Sequence, residues 1–371
     1  MGLDCTLDDM LEKAQKAFND KLPFVIYRNS ESNLVKGIFQ RNNSLYYAKD
    51  YRESGFVFAP FDAQKEIILL RCDAHLKAER REAMISQNER VSLKLDESQK
   101  KFHIDLVEKG IAEIRKGKFQ KVVLSRKVEA DCTASPIDLF QRLLGNYENA
   151  FCYLWHHPKV GTWLGATPEI LLKSENQRIT TMSLAGTQKY SGNDNPTWGT
   201  KELEEQKLVT KYIAGALKDK VVNLKISERE TVKAGSLLHL RTKLMAKYGK
   251  GQLGEIVGAL HPTPAVCGMP MGSSKEFILK NENYEREYYT GYLGELNLKV
   301  ETARSSRRKN QENQAYKSIK KATTFFVNLR CMQLKNQQAI VYVGGGITES
   351  SDAENEWAET VSKSLVIKSI L

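Results

Sequence analysis

The chain has 371 residues, enough for one large domain or two modest ones, and its 41% hydrophobic and 27% charged content is ordinary for a globular protein. No apolar run approaches the roughly 20 residues that would span a bilayer, so a helical membrane anchor is not expected. The six cysteines (Cys5, Cys72, Cys132, Cys152, Cys267, Cys331) include no Cys-x-x-Cys pair, which argues against a zinc cluster or disulfide framework and fits a reducing cytoplasm. The net charge of +11 admits a nucleic-acid partner, but the stretch 300–321 alone carries seven Lys/Arg against two Glu. That stretch reads as a long, solvated basic loop insertion, and without it the balance is an unexceptional +6.

The opening MGLDCTLDDMLEKAQ is acidic and amphipathic, a surface helix and not the positive-then-apolar pattern of a secretion signal. Short strands follow at LPFVIYRN, NLVKGIFQ, SLYYAKD and FVFAPF, making residues 1–95 a strand-rich N-terminal part. A helix over Ser98–Lys116 keeps Phe102, Leu106, Val107, Ile111 and Ile114 at helical spacing, and Gly117 stops it. Strands come next at KVVLSRKVEA, AFCYLWHH, GTWLGAT, EILLKS and RITTMSLAG, then the helix KELEEQKLVTKYIAGALKD. Late strands fall at YLGELNLKV, FFVNLRCMQL and AIVYVGGG, and a final helix covers ENEWAETVSKSL. Strands in runs, broken by few helices, predict a largely antiparallel α+β architecture over a single domain, 1–371.

Two helices carry acids where apolar residues are expected. The stripe Val209, Tyr212, Ile213, Ala216 and Leu217, extended backward by threes and fours, lands on Glu205 and Glu202. In the last helix Glu356 and Glu359 lie beside the stripe Trp357, Val361 and Leu365, with Lys363 one turn on. A protruding first turn would suit such acids, because the helix dipole favours them there. Two such pairs facing inward would instead need a hard cation with oxygen ligands, and Mg²⁺ suits this better than Ca²⁺ because it leaves room for water and substrate. The glycines of VYVGGGIT, just before the last helix, expose backbone N–H groups that could seat a carboxylate or phosphate, or form only a tight turn.

Eight motifs in order resemble the chorismate-utilising enzymes, and within them the isochorismate synthases. They are KVVLSR (Lys121–Arg126), GATPEILL (Gly165–Leu172), LAGT (Leu184–Thr187), KELEEQKLV (Lys201–Val209), LHPTPAVCGMP (Leu260–Pro270), REYYTGYLGE (Arg286–Glu295), VNLRCM (Val327–Met332) and VGGGIT with ENEWAETVSK (Val343–Lys363). The resemblance spans about Phe119 to Leu371 and makes 96–371 the catalytic region. It implies two large, mainly antiparallel β-sheets packed together with helices on the outside, and a site in the cleft between them. Aminodeoxychorismate synthases often carry lysine where Ala185 stands, and anthranilate and salicylate synthases tend to have threonine or serine in the segment matching PAVCG. Cys267 departs from the expected Gly or Ser and reads as a packing substitution.

What the resemblance implies is a reversible, Mg²⁺-dependent conversion of chorismate to isochorismate: water adds at ring carbon 2 and the carbon 4 hydroxyl leaves. Lys121 would be the general base and Glu169 the general acid. Glu205 and Glu359 would ligate Mg²⁺ directly, with Glu202 and Glu356 acting through water. Tyr289 and Arg330 would hold the enolpyruvyl carboxylate. Ala185, Gly186, Thr187, Gly345 and Lys363 would wall the ring carboxylate, with His239 near the leaving hydroxyl. The expected enzyme is a cytoplasmic monomer or weak homodimer that binds neither nucleic acid nor membrane and feeds menaquinone in preference to a siderophore. Salicylate synthase is the rival within enzymes, and a basic nucleic-acid-binding protein is the rival outside them.

Overall fold

The computed structural model describes residues 3–30, 32–80, 97–193, 196–234, 237–303, 317–368 and 370–371. The chain opens with β1 (Leu3–Asp4) and α1 (Leu7–Asn19), followed by β2 (Phe24–Arg28), β3 (Leu34–Phe39), β4 (Tyr47–Ala48), β5 (Gly55–Ala59), β6 (Ile67–Arg71) and β7 (Ala74–Glu79). Helix α2 (Glu97–Arg115) leads to β8 (Lys121–Asp131), α3 (Pro136–Asn146), β9 (Phe151–His157), β10 (Gly161–Thr167), β11 (Ile170–Glu175) and β12 (Arg178–Lys189). Then come α4 (Thr200–Leu217), β13 (Val222–Ile226), β14 (Glu230–Ala234), β15 (Leu237–Lys247), α5 (Leu253–Leu260), β16 (Gly268–Met269) and α6 (Met271–Asn281). The last elements are β17 (Tyr292–Ala303), β18 (Lys317–Val327), β19 (Cys331–Lys335), β20 (Gln338–Ile347) and α7 (Ala353–Lys368).

The strands form two sheets. The first runs β1-β7-β3-β2-β9-β10-β19-β20-β8-β16, and the second runs β13-β15-β12-β11-β18-β17-β5-β6-β4 with β14 also on β15. The N-terminal part contributes β2, β3 and β7 to the first and β4, β5 and β6 to the second, so it is woven into both sheets. Strand alternation explains the near-continuous apolar runs. On β9, Phe151, Tyr153 and Trp155 face an aromatic layer between the sheets, while Cys152 and Leu154 face α1 and α3. On β5, Phe56 and Phe58 enter the same layer, and Val57 and Ala59 pack on the side of α4 and α5. Across it, Phe151 stacks on Phe326 at 4.1 Å and Phe58 meets Trp155 at 4.6 Å. The apolar content of the sequence therefore fills three layers, and the helices close the two outer ones.

Four expectations need correction. FFVNLRCMQL is not one strand: it ends β18 in the second sheet and starts β19 in the first, with the break at Asn328–Arg330, where Arg330 takes φ 48°. The inner stripe of α7 is Trp357, Thr360, Ser364 and Lys368, whereas Leu365 is 44% exposed. Arg126 sets that face, because its Nε donates to Thr360 Oγ1 and its guanidinium lies over the Trp357 ring. The buried line of α4 includes Gln206, whose Nε2 donates to Ser183, Thr210 and Thr242 hydroxyls, beside Val209, Ile213 and Leu217. The two ends of the basic stretch are paired as strand, with Ala303 opposite Lys317 and Val300 opposite Lys320. Its middle, 304–316, lies outside the described residues.

Candidate active site

Lys121 opens β8 where β16 ends, with Met269 opposite Lys121 and Gly268 opposite Val122. Alternation puts Lys121, Val123 and Ser125 on one face, and all three are buried. The Lys121 Nζ donates to Glu205 Oε1 of α4 at 2.6 Å. Gly346 of β20 makes room for this: a Cβ there would stand 2.8 Å from Lys121 Cε. Glu169 lies in the short link by which the chain leaves β10 in the first sheet for β11 in the second. Its carbonyl accepts from Val327 N–H at 2.9 Å, so this crossing runs beside the reverse crossing from β18 to β19 that carries Arg330. The Glu169 side chain is only 6% exposed. Burial pushes its carboxyl up to about 7, against the opposing pull of the Lys121 ammonium and the Thr263 hydroxyl.

The other predicted residues border the same region. Gly344, Gly345 and Gly346 form its floor, since side chains there would meet the Tyr289 hydroxyl, Glu356 Oε2 and Lys121 respectively. Lys363 Nζ donates to Gly344 O at 2.9 Å and pairs with Glu359 at 2.6 Å. Tyr289 is buried and stacks on Tyr342. Gly186, at φ +73°, makes the bulge between Ala185 and Thr187 that turns β12 past Glu202, and the Thr187 backbone lies opposite His239. Burial first, then the positive charges of Arg330 and Lys363, depress His239 to about 4, so it is a neutral imidazole at pH 7. Burial holds the Arg330 guanidinium below its usual range, with Tyr147 opposing, and its planar fork is suited to a carboxylate.

The four glutamates supply only carboxylate oxygens, the donor chemistry of a hard divalent cation. Small residues stand against two of them: Gly186 abuts Glu202, and a Cβ on Gly345 would come within 2.8 Å of Glu356 Oε2, whose Oε1 accepts from the Ser351 hydroxyl. Among the described residues no three acids, histidines or cysteines are grouped so as to hold a metal ion; Glu205 is paired with Lys121 and Glu359 with Lys363.

Sequence reasoning passed over a second set of residues. Where β16 ends, the edge of β8 is capped by an ion pair: Glu282 Oε1 accepts from Ser125 N–H at 2.8 Å, and Arg286 Nη2 donates to Val123 O at 2.7 Å. Arg286 also bonds Val266 O and Glu282, and the two side chains are each 2% exposed. Tyr284 shares the Ser125 hydroxyl. A signal existed, since Glu282 and Arg286 are four apart ahead of YYTG, but the pair lies outside a helix, where spacing carries no meaning. Cys267 is fully buried among Phe119, Phe277 and Ile347, in a slot that suits a small side chain.

A family profile described as "Chorismate binding enzyme" matches residues 59–303, and a second of the same description matches 315–369. The chain belongs to the chorismate-binding enzymes. Among its relatives, isochorismate synthase MenF of Escherichia coli is 27% identical over 279 residues, which is 72% of this chain and 59% of that protein. Isochorismate synthase DhbC of Bacillus subtilis is 26% identical over 69% of this chain and 64% of its own length. The match thus spans less than two thirds of either relative. The solved structure of E. coli MenF superposes with a TM-score of 0.74 at 19% identity, covering 94% of this chain and 88% of that one. Anthranilate synthase component I of Streptococcus pneumoniae gives 0.65 at 16% identity over 93% and 92%. The fold expected from the motifs, two large antiparallel sheets with external helices, is the fold of this chorismate-binding enzyme.

Proposed function

We propose that this chorismate-binding enzyme is an isochorismate synthase. The observation that supports this best is a buried lysine whose charge reaches a buried carboxyl that burial raises to about 7. One is suited to take a proton from water and the other to give one to a leaving hydroxyl. Once its own ammonium proton has passed to solvent, Lys121 on the β8 face takes a proton as water attacks ring carbon 2 of chorismate. Glu169 protonates the oxygen departing from carbon 4. Arg330 and Tyr289 grip the enolpyruvyl carboxylate. The backbone of Ala185, Gly186 and Thr187, together with Gly345 and Lys363, lines the seat of the ring carboxylate, and neutral His239 offers a hydrogen bond near carbon 4. Glu205 and Glu359, aided by Glu202 and Glu356, would hold Mg²⁺, which when bound supplies positive charge to a substrate carboxylate.

Relatives named menaquinone-specific and vibriobactin-specific bear the same activity in their names, so the reading extends to the reaction and not to its destination. Purified protein given chorismate and Mg²⁺ is expected to yield isochorismate as the separated product. Released pyruvate would assign it instead to the salicylate-forming class, and unchanged chorismate would overturn the reading.

A further inference from the structure

Thr263 lies between α5 and β16, held by its own carbonyl, which accepts from Val266 N–H at 3.1 Å and Cys267 N–H at 3.0 Å. The residue is 7% exposed. Its hydroxyl lies against the Glu169 carboxyl, where it favours the anion, yet it meets no hydrogen-bond partner of good geometry among the described residues. A buried hydroxyl left without a partner costs free energy, so its retention calls for an explanation. The Lys121 ammonium bonds Glu205, and the Thr167 hydroxyl donates to Val327 O. The Glu169 carboxyl, on which the hydroxyl acts, gains a full negative charge only after its proton has gone.

We propose that Thr263 is a positioning residue for Glu169, the donor whose hydrogen bond forms when the carboxyl becomes a carboxylate during turnover. The inference deepens the reading of Glu169 as general acid and rests on it. In that step the Glu169 O–H bond breaks and its proton goes to the oxygen leaving carbon 4. The C–O bond at carbon 4 breaks with its electron pair, and the departing group is water. The proton taken up by Lys121 from the attacking water balances the one that Glu169 gives. Thr263 swings its O–H onto the new carboxylate, stabilising the charge where it develops. Hydrogen bonds to charged groups are about twice as strong as neutral ones, so the contact strengthens as the reaction proceeds.

Thr263→Val keeps the shape and the backbone bonds but removes the donor. It is expected to lower kcat by roughly ten- to hundredfold with little change in KM. It should also move the alkaline limb of the pH–rate profile upward, because Glu169 then keeps its proton to higher pH. Thr263→Ser should restore both. A second readout needs no turnover: infrared titration of the Glu169 carboxyl band in substrate-free enzyme, identified by its loss in Glu169→Gln. The Val variant should titrate at higher pH than the wild type. An unmoved midpoint, or an unaltered kcat in an active enzyme, overturns the proposal. A wild type inert toward chorismate with a midpoint that still shifts would sink the assigned activity and leave the Thr263–Glu169 pairing standing.

Discussion

Glu169 shows how one side chain couples chemistry to stability. Its carboxyl is raised from 4.5 to about 7 in the fold, mainly by burial. Between those values the unfolded chain loses its proton first, so stability falls as pH rises through this window. The loss is on the order of 3 kcal/mol above pH 7. Glu169→Gln cannot ionise, so it should unfold at a higher temperature than the wild type at pH 8, while the two converge near pH 4. It should also lose turnover by several orders of magnitude, since the amide has no proton to give. Calorimetry at the two pH values checks the first expectation and a chorismate assay the second; a variant less stable at pH 8 would contradict the account. The motif order was enough to single out Glu169, but its burial was not legible in the sequence. That depends on where the chain changes sheets, and Thr167-Pro168-Glu169 reads equally well as an exposed turn.

At the scale of elements, β20 and β8 carry the site. A methyl group at Gly346 would collide with Lys121 Cε, and nearby Lys121 carbonyl contacts fix the backbone of β8. Gly346→Ala should therefore displace the amine by a fraction of an ångström to an ångström and reduce kcat by about a hundredfold, with near wild-type melting. Normal kinetics in a folded variant would show that Lys121 needs no such placement. The cap on the β8 edge makes a different prediction. Arg286→Ala leaves Glu282 buried without its cation, at a cost of about 3–5 kcal/mol measured by denaturant unfolding. A loss below about 1 kcal/mol would mean that the pair is not what holds this edge. Periodicity located β8, β9, β10, α4 and β20 to within a residue or two, because each buries a regular face. It left 220–260 unassigned, since β13 and β15 present polar residues such as Asn223, Lys225, Arg241 and Lys243 on solvated faces. The break at Asn328–Arg330 was hidden for the opposite reason: apolar residues on both sides run on at strand spacing while the backbone changes sheets.

Across the whole molecule the six histidines share one behaviour. All are held below their ordinary value, His75, His103, His156, His239 and His261 to about 4, with burial the leading cause in each. The unfolded chain binds protons near 6.5 and the folded one does not until about 4, so stability is present above 6.5 and drains away as pH falls between those values. Melting temperature is expected to drop steeply from pH 6.5 to pH 5, more steeply than the Glu169 effect can offset. A flat profile across that range would show that the histidines are not buried as neutral rings.

In the proposed reaction water, activated by Lys121, becomes the new hydroxyl while Glu169 expels the old one. Turnover of chorismate in water labelled with heavy oxygen tests it most directly, with mass spectrometry of the product. Label is expected in the hydroxyl at carbon 2 of isochorismate, and none of this labelling with Lys121→Ala. Unlabelled isochorismate formed at full rate would mean that the original hydroxyl migrates within the substrate, contradicting the roles given to both residues.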